Sequence, residues 1–145
     1  MVHDERHIGR IVRRLKEALE RQANRDLRPY GITLAQAHVL MELHEGDAEQ
    51  LSFKQLEARL DIAQSTVWGI VSRLEKKGLV ATGESPDDTR ARMVSLTPEG
   101  VELCEACRGL TEAHERQLAS DLTSEEASQL YDLLERACAS VERTL

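Results

Sequence analysis

The chain contains 145 residues, of which 41% are apolar, 31% charged and 3% aromatic, and its formal net charge is −7 at pH 7. This length suits one domain, or one domain with dimerising extensions. No apolar run approaches the roughly 18 residues that a membrane span needs, and the N-terminal segment lacks the apolar core of a secretory signal. The sequence therefore predicts a soluble, cytoplasmic protein with no membrane partner. The three cysteines form an odd number, which favours a reducing compartment over a disulfide framework.

The negative charge is unevenly distributed along the chain. Residues 1–51 carry a net charge of −1, residues 52–92 of +1 and residues 93–145 of −7. Binding to a polyanion depends on Lys and Arg side chains that displace condensed counterions. The overall acidity therefore does not exclude a nucleic-acid surface in the middle segment.

Two amphipathic helices are predicted first. Apolar residues recur at helical spacing over residues 5–27, and the turn-forming residues 28–31 end this first helix. Thr33 with Gln36 forms a capping-box pattern that opens the second helix, which the polar stretch 45–50 is expected to end. The predicted apolar face of the second helix consists of Leu34, Ala37, Leu40, Met41 and Leu43.

A helix-turn-helix followed by a β-hairpin is predicted next. Ser52 with Gln55 caps a short third helix, a break near Asp61 follows, and the fourth helix extends from Gln64 to a terminating Gly78. Residues 79–82 and 90–96 then read as two strands around a polar turn. A hairpin directly behind the second helix of such a pair is the arrangement of a winged helix.

The C-terminal third is predicted to form two helices. Thr97 and Pro98 start the fifth, which continues to about residue 120, and Thr123 with Glu126 caps the last. The last helix carries a continuous apolar stripe of Ala127, Leu130, Tyr131, Leu134, Ala137, Cys138, Val141 and Leu145. The predicted fold is mainly α with a small β-hairpin wing. Its expected parts are an N-terminal dimerisation helix (1–32), a winged helix-turn-helix domain (33–97) and C-terminal dimerisation helices (98–145).

The fourth helix is the candidate DNA-recognition helix. With Val67, Ile70, Val71 and Leu74 buried, its outward residues are predicted to be Gln64, Ser65, Trp68, Gly69 and Ser72. Gln64 suits a bidentate pair with adenine, and Ser65 and Thr66 suit a phosphate at the first helical turn. Further candidates for DNA phosphates or the minor groove are Arg73, Lys76, Lys77, Arg90 and Arg92.

These motifs resemble the MarR family (multiple antibiotic resistance regulators). The similar segments are LSFKQLEARL (51–60), QSTV (64–67), RLEKKGLV (73–80), DTR (88–90) and LTPEG (96–100). The resemblance implies an obligate homodimer with intertwined first and last two helices, a recognition helix over 64–77, and a wing that places Arg90 near the minor groove with Asp88 supporting it. It also implies repression that a small ligand, or sometimes oxidation or a metal, releases.

Trp68 departs from the family pattern, in which this position is small or polar. One interpretation is a partly exposed ring that packs on the wing or on the preceding helix. The other is a DNA contact, by stacking on a sugar or against a thymine methyl.

Sensor residues have two interpretations. A ligand crevice is expected near His38, Met41 and Leu15. A metal- or thiol-responsive sensor would instead use Cys104, Cys107, His38 and His114, whereas Cys138 is expected to pack on the apolar stripe. No catalytic motif is present and no cofactor is expected, so the remaining alternative to a DNA-binding regulator is a winged helix that binds proteins only.

Overall fold

The computed structural model describes residues 6–46, 49–85, 87 and 91–145. Within them the chain forms six α-helices and three β-strands. The elements are α1 (Ile8–Leu27), a 3₁₀ turn (Arg28–Tyr30), α2 (Leu34–Glu45), β1 (Gln50–Ser52), α3 (Phe53–Leu60), α4 (Gln64–Lys76), β2 (Val80–Glu84), β3 (Arg92–Leu96), α5 (Pro98–Leu118) and α6 (Ser124–Glu142). The predicted class, mainly α with a small wing, is confirmed.

The chain comprises two compact units, residues 1–108 and residues 109–145. The first contains the helix-turn-helix, the sheet and the first half of α5, and the second contains the rest of α5 and α6. No helix in the described ranges is long and apolar enough to cross a membrane. The three-part division at residues 32 and 97 stays a prediction.

Three helices begin at the predicted capping boxes, and each box has both of its hydrogen bonds. In α2, Gln36 N donates to Thr33 Oγ1 at 3.3 Å and Thr33 N donates to Gln36 Oε1 at 3.2 Å. Equivalent pairs join Ser52 to Gln55 and Thr123 to Glu126. Each box satisfies backbone donors that a helix start leaves open, which fixes where the helix begins.

The wing is part of an antiparallel sheet with strand order β1, β3, β2. The hairpin was predicted, but β1 was not. The polar stretch 45–50 was expected only to end the second helix, whereas Gln50 begins a strand in which Leu51 pairs with Val94. This third strand places the start of α3 directly beside the hairpin.

The hydrophobic core of the first unit lies around α2 and α4. Its side chains with less than 2% exposure include Leu40, Leu43, Leu56, Leu74, Val39 and Val94. The predicted apolar face of α2 is partly wrong, because Met41 is exposed while Val39 and Gln36 are buried. The cause is that α2 is packed by α1, α3, α4 and β3 on several sides, so a single stripe does not describe its contacts.

Candidate nucleic-acid interface

The structure confirms the two faces predicted for α4. Val67, Ile70, Val71 and Leu74 are buried, which anchors the helix against the core. The opposite side consists of exposed Gln64, Ser65, Thr66, Trp68 and Ser72, together with half-buried Gly69. A helix with one anchored face and one polar face has the form required to enter a major groove.

The N-terminus of α4 differs from the capped helices. Its N-cap is Ala63, which provides no side-chain hydrogen bond. The carbonyl of Ala63 accepts the N–H groups of Thr66 and Val67 at 3.0 and 3.1 Å, which leaves the earlier N–H groups at the positive end of the helix without a cap. Such an end is suited to a phosphate, with the Ser65 and Thr66 hydroxyls beside it.

Trp68 packs on the preceding helix, as one of its two interpretations predicted. Its ring stacks on Phe53, the first residue of α3, with 4.3 Å between ring centroids and 19° between ring planes. The side chain is nevertheless 42% exposed. One face of the ring therefore stabilises the helix-turn-helix, and the exposed part remains available for the predicted DNA contact.

The basic side chains at the end of α4 do not share one environment. Arg73 and Lys76 are exposed. The Lys77 side chain is exposed too, but its ammonium donates to the carbonyl of Gly31 and, at 2.9 Å, to Oε1 of Gln36. Lys77 therefore ties the end of the recognition helix to the turn before α2. Its assignment to a DNA phosphate stays a prediction, and sequence spacing gave no sign of this internal role.

The wing is tied to α4 through a carboxylate that the sequence did not single out. Glu75 Oε2 accepts hydrogen bonds from Thr82 N at 3.1 Å and from Thr82 Oγ1 at 2.7 Å. Arg92 is exposed, and its Nη2 lies 3.4 Å from Thr82 Oγ1. Asp88 and Arg90, the predicted tip residues, lie outside the described residues.

The junction from α4 to α5 is closely packed. Gly78 has φ of 74° and ends α4 in the left-handed region, as predicted. Thr97 Oγ1 donates to the Gly78 carbonyl at 2.6 Å, and Thr97 N donates to the Leu79 carbonyl at 3.1 Å. A Cβ at Gly100 would overlap that same carbonyl of Leu79. Because of these contacts, a displacement of residues 78–79 would also displace the start of α5.

The structure does not support the metal and thiol sensor. No three His, Cys, Asp or Glu side chains of the described residues lie close enough together to hold a metal ion. Cys104 is buried, and burial, followed by the nearby charge of Cys107, raises its pKa to about 11. Burial also raises the pKa of Cys107, so neither thiol is predisposed to form the reactive thiolate. Cys138, predicted to pack, is exposed within the single chain.

A cavity of about 570 Å³ lies beside the junction of α4 and α5 in the first unit. Its lining includes Tyr30, Lys77, Leu79, Glu99, Glu102 and Leu103. None of the predicted ligand residues His38, Met41 and Leu15 lines this cavity, and their assignment stays a prediction. The sequence pattern did not predict this cavity, because its lining residues come from three segments that are far apart in the chain.

Comparison with known proteins finds relatives in one family of regulators. The family model described as MarR family matches residues 30–91. The chain is 29% identical over 131 residues to the multiple antibiotic resistance protein MarR of Salmonella typhimurium, covering 89% of each chain. It is 32% identical over 93 residues to the homoprotocatechuate degradative operon repressor of Escherichia coli, covering 64% of this chain and 63% of that protein.

Solved structures agree with these sequence relationships. The S. aureus MepR–DNA complex has a TM-score of 0.87 at 26% identity and covers 94% of this chain and 99% of that one. A mutant MarR from E. coli, complexed with operator DNA, has a TM-score of 0.81 at 29% identity and covers 90% of this chain and 92% of that one. The chain therefore matches the MarR family model over residues 30–91 and is similar, over most of its length, to winged-helix, DNA-binding regulators of that family.

Proposed function

We propose that this protein is a cytoplasmic transcriptional repressor that binds a pseudo-palindromic operator as a homodimer and is released by a small ligand. The observation that carries the proposal is the exposed, polar face of α4, anchored on its other side and uncapped at its N-terminus. Two such helices related by a two-fold axis would meet successive major grooves about 10 base pairs apart. The named operon repressor of E. coli supports repression as the mode of control.

Exposed apolar faces support the dimer. No residue of α6 is buried, and Leu130, Tyr131, Leu134 and Val141 of its stripe are exposed. On α1, Ile8, Ile11 and Val12 are exposed as well. Large exposed apolar surfaces at the chain ends are costly in water and are typical of an interface between subunits. A second copy of the chain would cover both helices.

The DNA contacts follow from the placement of each side chain on α4 and the wing. Gln64 and Ser72 are candidates for base edges, the first turn with Ser65 and Thr66 for a phosphate, and Arg73 and Lys76 for flanking phosphates. Further candidates are Trp68, Gly69, Lys77, Asp88, Arg90 and Arg92. Because the acidic C-terminal third repels DNA, we expect modest non-specific affinity and strong dependence on salt.

Gel shifts with the DNA upstream of the protein's own gene test the proposal. Loss of a phosphate contact in Arg73→Ala should lower the slope of log affinity against log salt by about 1 for each bound subunit. Arg143→Ala removes the same charge from an exposed position after α6 and is the matched control. Absence of salt-dependent binding, or equal slopes for both variants and the unmodified protein, would contradict the proposal.

A further inference from the structure

The cavity beside the junction of α4 and α5 has the chemistry of a ligand site. Its volume of about 570 Å³ lies within the range of about 300–1,000 Å³ typical of small-molecule sites. Leu79 and Leu103 provide an apolar surface, and Tyr30 adds an aromatic ring that is partly exposed. A drug-sized ligand would therefore find both apolar contact and an aromatic face.

The charges of the lining select the ligand class. Glu99 and Glu102 of α5 are exposed, and within the described part of the chain neither side chain forms an ion pair or hydrogen bond. The cation of the lining, Lys77, already donates to Gly31 and Gln36. An anion would have to approach two uncompensated carboxylates and compete for an ammonium that is already bonded. A cation gains from both carboxylates and from the ring of Tyr30.

We propose that this cavity binds a small amphipathic cation, with its apolar body against Leu79 and Leu103 and its charge beside Glu99 and Glu102. Such a cation would be the small ligand that releases the repressor, and its effect on DNA binding rests on the proposed function. Binding itself requires only the cavity.

The position of the cavity couples the ligand to the recognition helix. Lys77 and Leu79, which line the cavity, lie in the segment that directly follows α4, and Thr97 and Gly100 hold residues 78–79 tightly against α5. A bound cation repels the Lys77 ammonium and weakens the arrangement in which Lys77 holds Gly31 and Gln36. Because this arrangement positions α4, the cation lowers operator affinity, and the operator lowers cation affinity by the same factor.

Two probes of the same shape and opposite charge test the site: tetraphenylphosphonium and tetraphenylborate. Calorimetric titration of the full chain should detect tetraphenylphosphonium binding at least tenfold tighter than tetraphenylborate binding. The double variant Glu99→Gln, Glu102→Gln should lower the affinity for tetraphenylphosphonium by about tenfold, since two exposed charge pairs are lost. Glu105→Gln, an exposed carboxylate of α5 that does not line the cavity, is the matched control and should bind as the unmodified protein does.

The outcomes separate this inference from the repressor proposal. Equal affinity for the two probes, or equal weakening by the double variant and by Glu105→Gln, would overturn the cation site. Saturating tetraphenylphosphonium that leaves operator affinity unchanged would overturn the coupling through Lys77. A protein that binds the cation but no upstream DNA would leave the site standing and refute the proposed function.

Discussion

Helices α4 and α6 have similar sequence patterns and opposite environments. Each carries an apolar stripe at helical spacing. In α4 all four stripe residues, from Val67 to Leu74, are buried within the chain, whereas in α6 no residue is buried and Tyr131 and Val141 are 66% and 62% exposed. A stripe therefore identifies a face that will be covered but not the molecule that covers it. For α4 the cover is this chain's own core, and for α6 we propose a second copy.

The largest expected effect comes from a charge on the proposed intermolecular face. Leu134→Asp removes two leucines from each dimer, each contributing about 1.5–3 kcal/mol, and replaces them with carboxylates that burial would penalise. We expect dimer dissociation to increase by at least about 10²-fold, as measured by sedimentation equilibrium over a range of protein concentrations.

The matched control for this variant lies one residue away. Leu133 is exposed on the same helix but is not part of the stripe, so Leu133→Asp should leave association nearly unchanged. If both variants dissociate equally, the effect belongs to helix charge and not to a specific face. If neither dissociates, α6 is not the interface.

The corresponding change in α4 should act inside the chain. Leu74 is 0% exposed, and Leu74→Ala leaves a cavity in the core, which typically costs about 2–5 kcal/mol of unfolding free energy. Urea unfolding should show this loss while the association of the folded subunits is unchanged. Leu133→Ala, at an exposed site, should cost less than about 0.5 kcal/mol. A similar loss in both variants would mean that α4 and α6 do not differ as the structure indicates.

The same contrast explains which parts of the fold were predictable from sequence. The capping boxes at Thr33, Ser52 and Thr123 were predictable because each box is a contact between residues three apart. Strand β1 was missed because it has three residues and a polar start, and its only sign is pairing with β3 more than 40 positions away. Met41 was misplaced because α2 packs on several sides.

The candidate site was predictable to a similar degree. The outward face of α4 follows from its period, and the structure confirms it. The contacts of Lys77 with Gly31 and Gln36 were not predictable, because the partners lie more than 40 residues away. A lysine near a helix C-terminus looks the same in sequence whether it binds a phosphate or a backbone carbonyl.

Cys104 offers a pH-dependent test of internal packing in the first unit. Burial raises its pKa to about 11 in the folded state, above that of an exposed thiol. Folding therefore favours the neutral thiol. The free energy of unfolding is unaffected by this thiol below about pH 9, and it falls by about 1–3 kcal/mol as the pH rises towards 11, because the thiol then ionises in the unfolded chain first. The free energy of unfolding, measured with urea at about pH 8 and about pH 10.5, should differ less between the two pH values for Cys104→Ala than for the unmodified protein. Equal differences would contradict the burial of Cys104.

The smallest expected effect concerns the link between α4 and the wing. Glu75→Ala removes the acceptor of two hydrogen bonds from Thr82, at an exposed site where such bonds contribute about 1 kcal/mol. Because the link holds β2 against the recognition helix, operator affinity should fall by about fivefold. Glu75→Gln keeps one carbonyl acceptor and should restore most of the operator affinity. Glu84 is an exposed carboxylate of the same wing, and Glu84→Ala should leave operator affinity unchanged. If Glu84→Ala weakens binding as much as Glu75→Ala, the wing responds to its charge and not to its attachment to α4.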